Sequence, residues 1–294
     1  MSAFKKQLVS SLFSIDYVGE NVYESNSPHI GGVIGPNRLF GGYIAAQTYF
    51  AVRDALRKNH DERVIFSMHY NFVSAGDPNK NIYLKLNQHD NIYSIEIAHD
   101  HKNIGLAHVK LDTNFLDRPE NEKNVRFPHM TNLPTMGTLL DSLPSEKWRT
   151  HYHNLFNKLM FEVRPQFLIQ NYSLDNHKVA FYARIYPECL SLLDEDSGII
   201  AVIALSDFFV IQSAQNLARQ HGWKTSTAAS LHHKIHFHTD YVQADQWFYV
   251  ETKTETSTGN KAKIFGHLYD SNKKCVMSFI QESYCVAHLP EAKL

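Results

Sequence analysis

The chain has 294 residues with 29 basic and 30 acidic side chains, a formal net charge of −1, so no global field recruits nucleic acid or an anionic membrane. That length suits one large or two medium domains with a sizeable core. Three cysteines, Cys189, Cys275 and Cys285, lack C-x-x-C spacing and point to reduced thiols inside a cell. The N-terminal stretch carries no long apolar run of a secretory signal. The apolar run at 198–205 is too short to span a bilayer and leads into Asp207, so membrane insertion is not expected.

In chain order, residues 40–59 (FGGYIAAQTYFAVRDALRKN) predict a helix opening on Gly41-Gly42, with Tyr43, Ala46, Phe50 and Leu56 near helical spacing. Strand patterns follow at 64–73, 82–86, 92–98 and 105–111. The turns between them hold Ala75-Gly76-Asp77-Pro78, His89-Asp90-Asn91 and His101-Lys102-Asn103. Residues 114–147 are charged and broken by Pro119, Pro128, Pro134 and Pro144, the composition of a linker. Strand signals resume at 160–165 and 178–186. A second helix is predicted over 198–221, closed by Gly222, with strands at 231–238, 246–255, 262–269 and 275–286.

The second half repeats the first. His69 and His236 lie 167 residues apart, as do Phe40 and Asp207, while Asp77 and Asp245 lie 168 apart. A single repeat of that length indicates duplication of a whole domain. A long helix followed by antiparallel strands on short turns is α+β. A helix apolar nearly all round needs a curved sheet wrapped about it. That arrangement is the hotdog, here as two in tandem. The expected limits are 1–115 for the first hotdog, 116–155 for the linker, 156–290 for the second hotdog and 291–294 for a short tail.

Three polar residues of the second half stand in or beside stretches that should be buried. They are Asp207 in the apolar segment 199–210, Ser230 just before the strand HHKIHFH, and Gln281 in VMSFIQESYCV. A carboxylate in an apolar helix needs a partner or a task, because burying a lone charge costs several kcal/mol after relaxation. An acid, a hydroxyl and an amide on separate elements are the groups needed to hold and activate one water. Each also has a plainer reading: a structural Asp, a turn Ser, a solvent-facing Gln. Gly41-Gly42 either offers free backbone N–H groups to a substrate oxygen or allows tight helix–sheet packing. Among His232, His233, His236 and His238 no Cys or carboxylate stands at metal-ligand spacing; Ile235 and Phe237 are expected to face the core and the histidines the wetter side. No metal and no cofactor is expected. A nucleotide P-loop and a G-x-S-x-G elbow are both absent.

Several of these residues carry a resemblance. Phe40-Gly41-Gly42 with Ala45-Ala46-Gln47 resembles the FGGQ opening of the type II acyl-CoA thioesterases, the bacterial thioesterase II enzymes and the animal peroxisomal acyl-CoA thioesterase. So do Ser67-Met68-His69-Tyr70-Asn71-Phe72, Gly76-Asp77, Glu162-Val163-Arg164-Pro165, Leu205-Ser206-Asp207-Phe208 and Ile280-Gln281-Glu282, in the same order over almost the whole chain. The resemblance implies a double hotdog that hydrolyses fatty acyl-CoA without a covalent intermediate. It places the family's catalytic acid, hydroxyl and amide on Asp207, Ser230 and Gln281. Backbone N–H groups near Gly41 and Gly42 are expected to meet the substrate, with His69 nearby. Homo-oligomers, or hetero-oligomers with related subunits, are expected.

Two departures stand out. The family usually reads Asp-His-Ser-x-Trp-Phe-His-Arg-Pro after the catalytic hydroxyl, whereas this chain reads His232-His233-Lys234-Ile235-His236-Phe237-His238-Thr239-Asp240. In the first half Arg-Pro-Gly-Asp becomes Ser74-Ala75-Gly76-Asp77. The altered strand keeps a second expectation in view, a catalytically silent acyl-CoA-binding or regulatory protein; hotdog hydratase chemistry, with an acid–histidine dyad, is a third. The ending Ala292-Lys293-Leu294 is a small–basic–leucine tripeptide of the kind read by the peroxisomal import receptor, which gives an expected location in the peroxisomal matrix, or the cytoplasm if it is not read.

Overall fold

The structure, a computed structural model, describes residues 15–32, 37–113, 127–147, 149–150, 153, 160–166, 178–192 and 195–289. The expected limits at 115, 155 and 290 and the tripeptide Ala292-Lys293-Leu294 lie outside these residues. The first half begins with a hairpin, β1 (Asp16–Gly19) and β2 (Val22–Ser25), then helix α1 (Gly41–Lys58). Strands β3 (Val64–Phe72), β4 (Ile82–His89), β5 (Ile92–His99) and β6 (Lys102–Asp112) follow. A short helix α2 (Met136–Asp141) precedes β7 (Phe161–Pro165) and β8 (Lys178–Ile185). The second half continues with helices α3 (Ser197–Ser206) and α4 (Val210–Gln220). It ends with strands β9 (Lys224–Phe237), β10 (Phe248–Thr258), β11 (Lys261–Tyr269) and β12 (Cys275–His288).

All twelve strands form one antiparallel sheet in the order β1-β2-β4-β5-β6-β3-β9-β12-β11-β10-β8-β7. Read outward from the middle, the two halves are the same list. β3 and β9 are the inner pair, with Ser67 opposite His236 and Asn71 opposite His232. Within that ladder Met68 lies opposite Ile235, and these two are 167 residues apart. The pair that faces itself across the join is therefore related by the repeat, so the pseudo-twofold axis runs through Met68 and Ile235. Both are fully buried. This is the tandem hotdog of an α+β protein.

The alternation of the strands decides which side holds the helices. Ile82, Leu84 and Leu86 of β4 face inward, as do Ile95 and Ile97 of β5 and Ile264 and Leu268 of β11. One continuous core runs through both halves. α1 and α3 lie antiparallel within it. At one end Arg57 near the close of α1 bonds Asp196, which precedes α3, at 2.7 Å. That pair complements both helix dipoles, a cation at a C-terminus and an anion at an N-terminus. Every residue of α3 is buried.

The second long helix departs from expectation. The helix predicted over 198–221 is two helices, broken at Asp207, Phe208 and Phe209, with Phe209 in the left-handed region at φ 58°. A non-glycine residue there is held by its surroundings, here the rings of Phe208 and Phe181 with centroids at 4.4 and 5.5 Å. The break ends α3 at Asp207 and turns its carboxylate sideways, toward α1. By length and composition the span Ser197–Gln220 is also apolar enough to cross a membrane, yet it is mostly buried inside the protein.

Ile235→Ala should lower the unfolding free energy by about 2–5 kcal/mol through loss of buried methyl groups at the join. Urea denaturation followed by circular dichroism would show it as a lower midpoint with an unchanged slope.

Candidate active site

The carboxylate released by the helix break is met from three directions. Its Oδ2 accepts a hydrogen bond from the backbone N–H of Gly42 at 2.9 Å, in the first turn of α1. Its Oδ1 receives the hydroxyl of Ser230 on β9, a long contact of 3.4 Å. The Gln281 side-chain nitrogen on β12 donates to Ser230 Oγ at 2.7 Å and lies 3.4 Å from Ser283 Oγ. The three sequence candidates Asp207, Ser230 and Gln281 thus form one chain of hydrogen bonds drawn from three elements.

Both glycines matter here. A Cβ on Gly41 would stand 2.7 Å from Asp207 Oδ2 and 3.0 Å from the Phe72 ring. A Cβ on Gly42 would stand 2.6 Å from the Ala204 carbonyl oxygen. The pair lets the start of α1 press against the end of α3, the packing alternative of the two readings. The other alternative, a Gly42 N–H free for substrate, is corrected: that N–H already serves Asp207.

Ser230 reaches the site through a bulge. β9 begins at Lys224, earlier than predicted, so Ser230 lies inside the strand rather than before it. Glu282 pairs with His232 but Ser283 pairs with Ser230, leaving Leu231 as the extra residue. One extra residue reverses the facing of the strand. Without it Ser230 would share the outer face with His232; with it Ser230 faces inward beside Gln281 and Ser283.

The histidine strand also differs from expectation. His232 and His236 do lie toward the outside, but His233 shares the inner face with Ile235 and Phe237 and is 1% exposed. Its Nε2 lies 2.8 Å from the Ser206 hydroxyl. His69, on β3, is the diagonal neighbour of His232 across the join, with ring centroids 6.0 Å apart, and makes no hydrogen bond to the trio. Among the described residues no group of His, Cys, Asp or Glu is placed to hold a metal ion. Ser283 was not singled out in the sequence, and His233 entered only within a histidine cluster expected on the wetter side. Period-two alternation identifies both, Ser283 from Gln281 and His233 from Ile235, and the β9–β12 register sets His233 opposite Gln281.

Burial dominates the electrostatics. Asp207 is partly exposed as a residue, but its carboxyl is enclosed by protein, which pushes its pKa up to about 7 against the opposing bonds from Gly42, Gln281 and Ser230. Burial drives the His233 imidazole the other way, down to about 3, so it is neutral at physiological pH. Phe40, Tyr43, Phe161 and Phe208 line a small apolar cavity of about 10 Å³ with Ile30, Met160 and Ala204, room for no more than a water-sized group.

The family described as the acyl-CoA thioesterase C-terminal domain matches residues 114–285, more than half of the chain. The chain belongs to the acyl-CoA thioesterase family. The resemblance read from the sequence is borne out at that level, and with it thioester hydrolysis as the general activity. Solved structures agree in fold. An acyl-CoA thioesterase II from Mycobacterium marinum superposes with a TM-score of 0.68 at 17% identity, over 96% of this chain and 99% of that one. A hot dog fold protein of unknown function from Alicyclobacillus acidocaldarius gives 0.69 at 13% identity, over 98% and 100%. A putative thioesterase II from Thermobifida fusca gives 0.68 at 14% identity, over 94% and 98%. No curated protein sequence matches.

Two outcomes follow. Gly41→Ala should push the carboxylate off its place and lower thioester hydrolysis on the order of 10²-fold, read as thiol release. Asp207→Asn should raise stability at alkaline pH. The folded pKa is raised, so the native state holds a proton that the unfolded chain has already lost between about pH 4 and 7, and stability falls across that window. The amide removes the buried charge, accepts from Gly42 and donates to Ser230. Thermal melts should show the variant gaining over wild type above pH 7, by up to about 4 kcal/mol, with little difference near pH 4.

Proposed function

We propose that this protein hydrolyses fatty acyl-CoA to free fatty acid and CoA, with Asp207, Ser230 and Gln281 activating the attacking water. The observation that carries the reading is the hydrogen-bonded chain Gln281–Ser230–Asp207, ending on an enclosed carboxylate whose pKa is raised to about 7. A carboxylate poised there is a far stronger base than an exposed one and is still ionised in good part at neutral pH.

In the proposed reaction a water held between Asp207, Ser230 and Gln281 attacks the thioester carbonyl carbon while Asp207 takes its proton. The tetrahedral intermediate collapses, the carbon–sulfur bond breaks, and the thiolate leaves and is protonated. Thiolate is a good leaving group, so no second side chain need act as acid. The partners of Asp207 are an amide and a hydroxyl, whereas hydratase chemistry would pair the acid with an imidazole.

Thiol release measured across a ladder of acyl-CoA lengths tests the reading. Asp207→Asn should lower kcat on the order of 10²-fold or more. In wild type kcat should rise about tenfold per pH unit below pH 7 and level off above it. Saturable acyl-CoA binding with no thiol release would instead make the protein a silent binder, and equal rates in wild type and Asp207→Asn would remove Asp207 as the base.

A further inference from the structure

The catalytic chain does not stop at Gln281. Across the β9–β12 ladder Gln281 lies directly opposite His233, and both side chains are essentially inaccessible to solvent. Gln281 Oε1 and His233 Nδ1 are each buried without a hydrogen-bond partner. They belong to facing residues, and the Gln281 side chain favours a proton on the imidazole, against burial. Each buried polar atom left this way carries the desolvation cost of an unsatisfied group. A single proton between them removes both costs.

The far side of the ring limits where protons can be. His233 Nε2 is 2.8 Å from Ser206 Oγ, and that hydroxyl is also 2.7 Å from the Ile203 carbonyl at the end of α3. Three arrangements are available. A doubly protonated ring satisfies every group but places a charge in the core, and burial opposes it. A proton on Nε2 alone leaves Nδ1 facing Gln281 Oε1, unless the amide turns over. The turned amide aims its oxygen at Ser230, which draws the Ser230 proton away from Asp207, a state suited only to a protonated Asp207. A proton on Nδ1 alone gives an unbroken sequence. Ser206 donates to Nε2, Nδ1–H donates to Gln281 Oε1, Gln281 Nε2–H donates to Ser230, and Ser230 donates to Asp207. It withdraws the hydroxyl from one helix-end carbonyl and satisfies two buried acceptors.

We propose that His233, held by Ser206 as the Nδ1–H tautomer, is a positioning residue that fixes the Gln281 amide with its nitrogen toward Ser230. The direction of the whole sequence then follows, and with it the availability of the Ser230 proton to the ionised Asp207. This rests on the proposed roles of Asp207, Ser230 and Gln281. The choice of tautomer is specific, because free imidazole in water favours the proton on the other nitrogen.

The test has one arm without substrate and one with it. Nitrogen-15 NMR of wild type labelled at histidine, above neutral pH, should show the His233 ring neutral with Nδ1 protonated, the resonance assigned by its loss in His233→Asn. Gln281→Leu should release that preference. A ring protonated on Nε2 overturns the proposal whatever the enzyme's activity. In the kinetic arm His233→Phe keeps the ring's shape without a donor and should lower kcat about tenfold or more with KM nearly unchanged. His233→Asn, whose amide places a donor where Nδ1 stood, should recover much of that loss. If Phe and Asn are equally impaired, or Phe matches wild type, His233 has only a packing role. Should His233→Phe fail to fold, the NMR arm still decides. A wild type that releases no thiol would sink the proposed function but leave the tautomer readable, so the two failures are distinguishable.

Discussion

The contact between the Asp207 carboxylate and the Gly42 N–H joins residues 165 apart in sequence, and the local geometry of the site follows from it. The acid sits at the C-terminus of α3, where that helix's own dipole opposes an anion. It is answered by the N-terminus of α1 through Gly42. The break, the left-handed Phe209 and the two glycines are then one constraint in four places. α3 must stop at Asp207 for the carboxylate to turn, and α1 must start on residues without a Cβ for it to arrive.

Duplication built the scaffold symmetrically and the site asymmetrically. The sheet repeats strand for strand about Met68 and Ile235. The residue 167 before Asp207 is Phe40, a buried aromatic. The partner of Gln281 by ladder position is Leu111, which lies beyond the bulge of β6 on β3 as Gln281 lies opposite His233 on β9. Where the second half has an acid and an amide, the first has apolar side chains. The first hotdog supplies the N-terminus of α1 and half of the join, while the second supplies the side chains that would do chemistry. Neither half alone has both.

Much of this was legible in the sequence because periodicity reports burial. The helix over 40–59 and its flanking residues match α1 within a residue at each end, and the main strands were visible from alternation. The hairpin of β1 and β2 was not, since four-residue strands such as DYVG carry too little pattern. The break at Asp207 was hidden because a segment apolar on every side gives no phase to interrupt. The inward turn of Ser230 was hidden for a different reason. A bulge is a property of how two strands pair, and neither strand's sequence contains it. His233 faces inward for the ordinary reason of alternation with Ile235, but four histidines in seven positions masked that phase.

On the proposed function, the polar sequence around Asp207 is a device for setting basicity more than a source of stability. Enclosure alone would hold the carboxyl neutral at physiological pH, and a protonated acid accepts nothing from water. Ordinary solvation would leave it ionised but weak, roughly three pKa units lower and correspondingly poor as a base. The Gly42, Ser230 and Gln281 donors pull against burial and bring the group to rest near pH 7, between those failures. Each donor must therefore point the right way, because a hydroxyl or amide reversed would add to burial instead of opposing it. Backbone geometry guarantees direction for Gly42 alone. Ser230 and Gln281 can each turn over, so something beyond them must break the degeneracy, and the next buried group in line is the imidazole of His233.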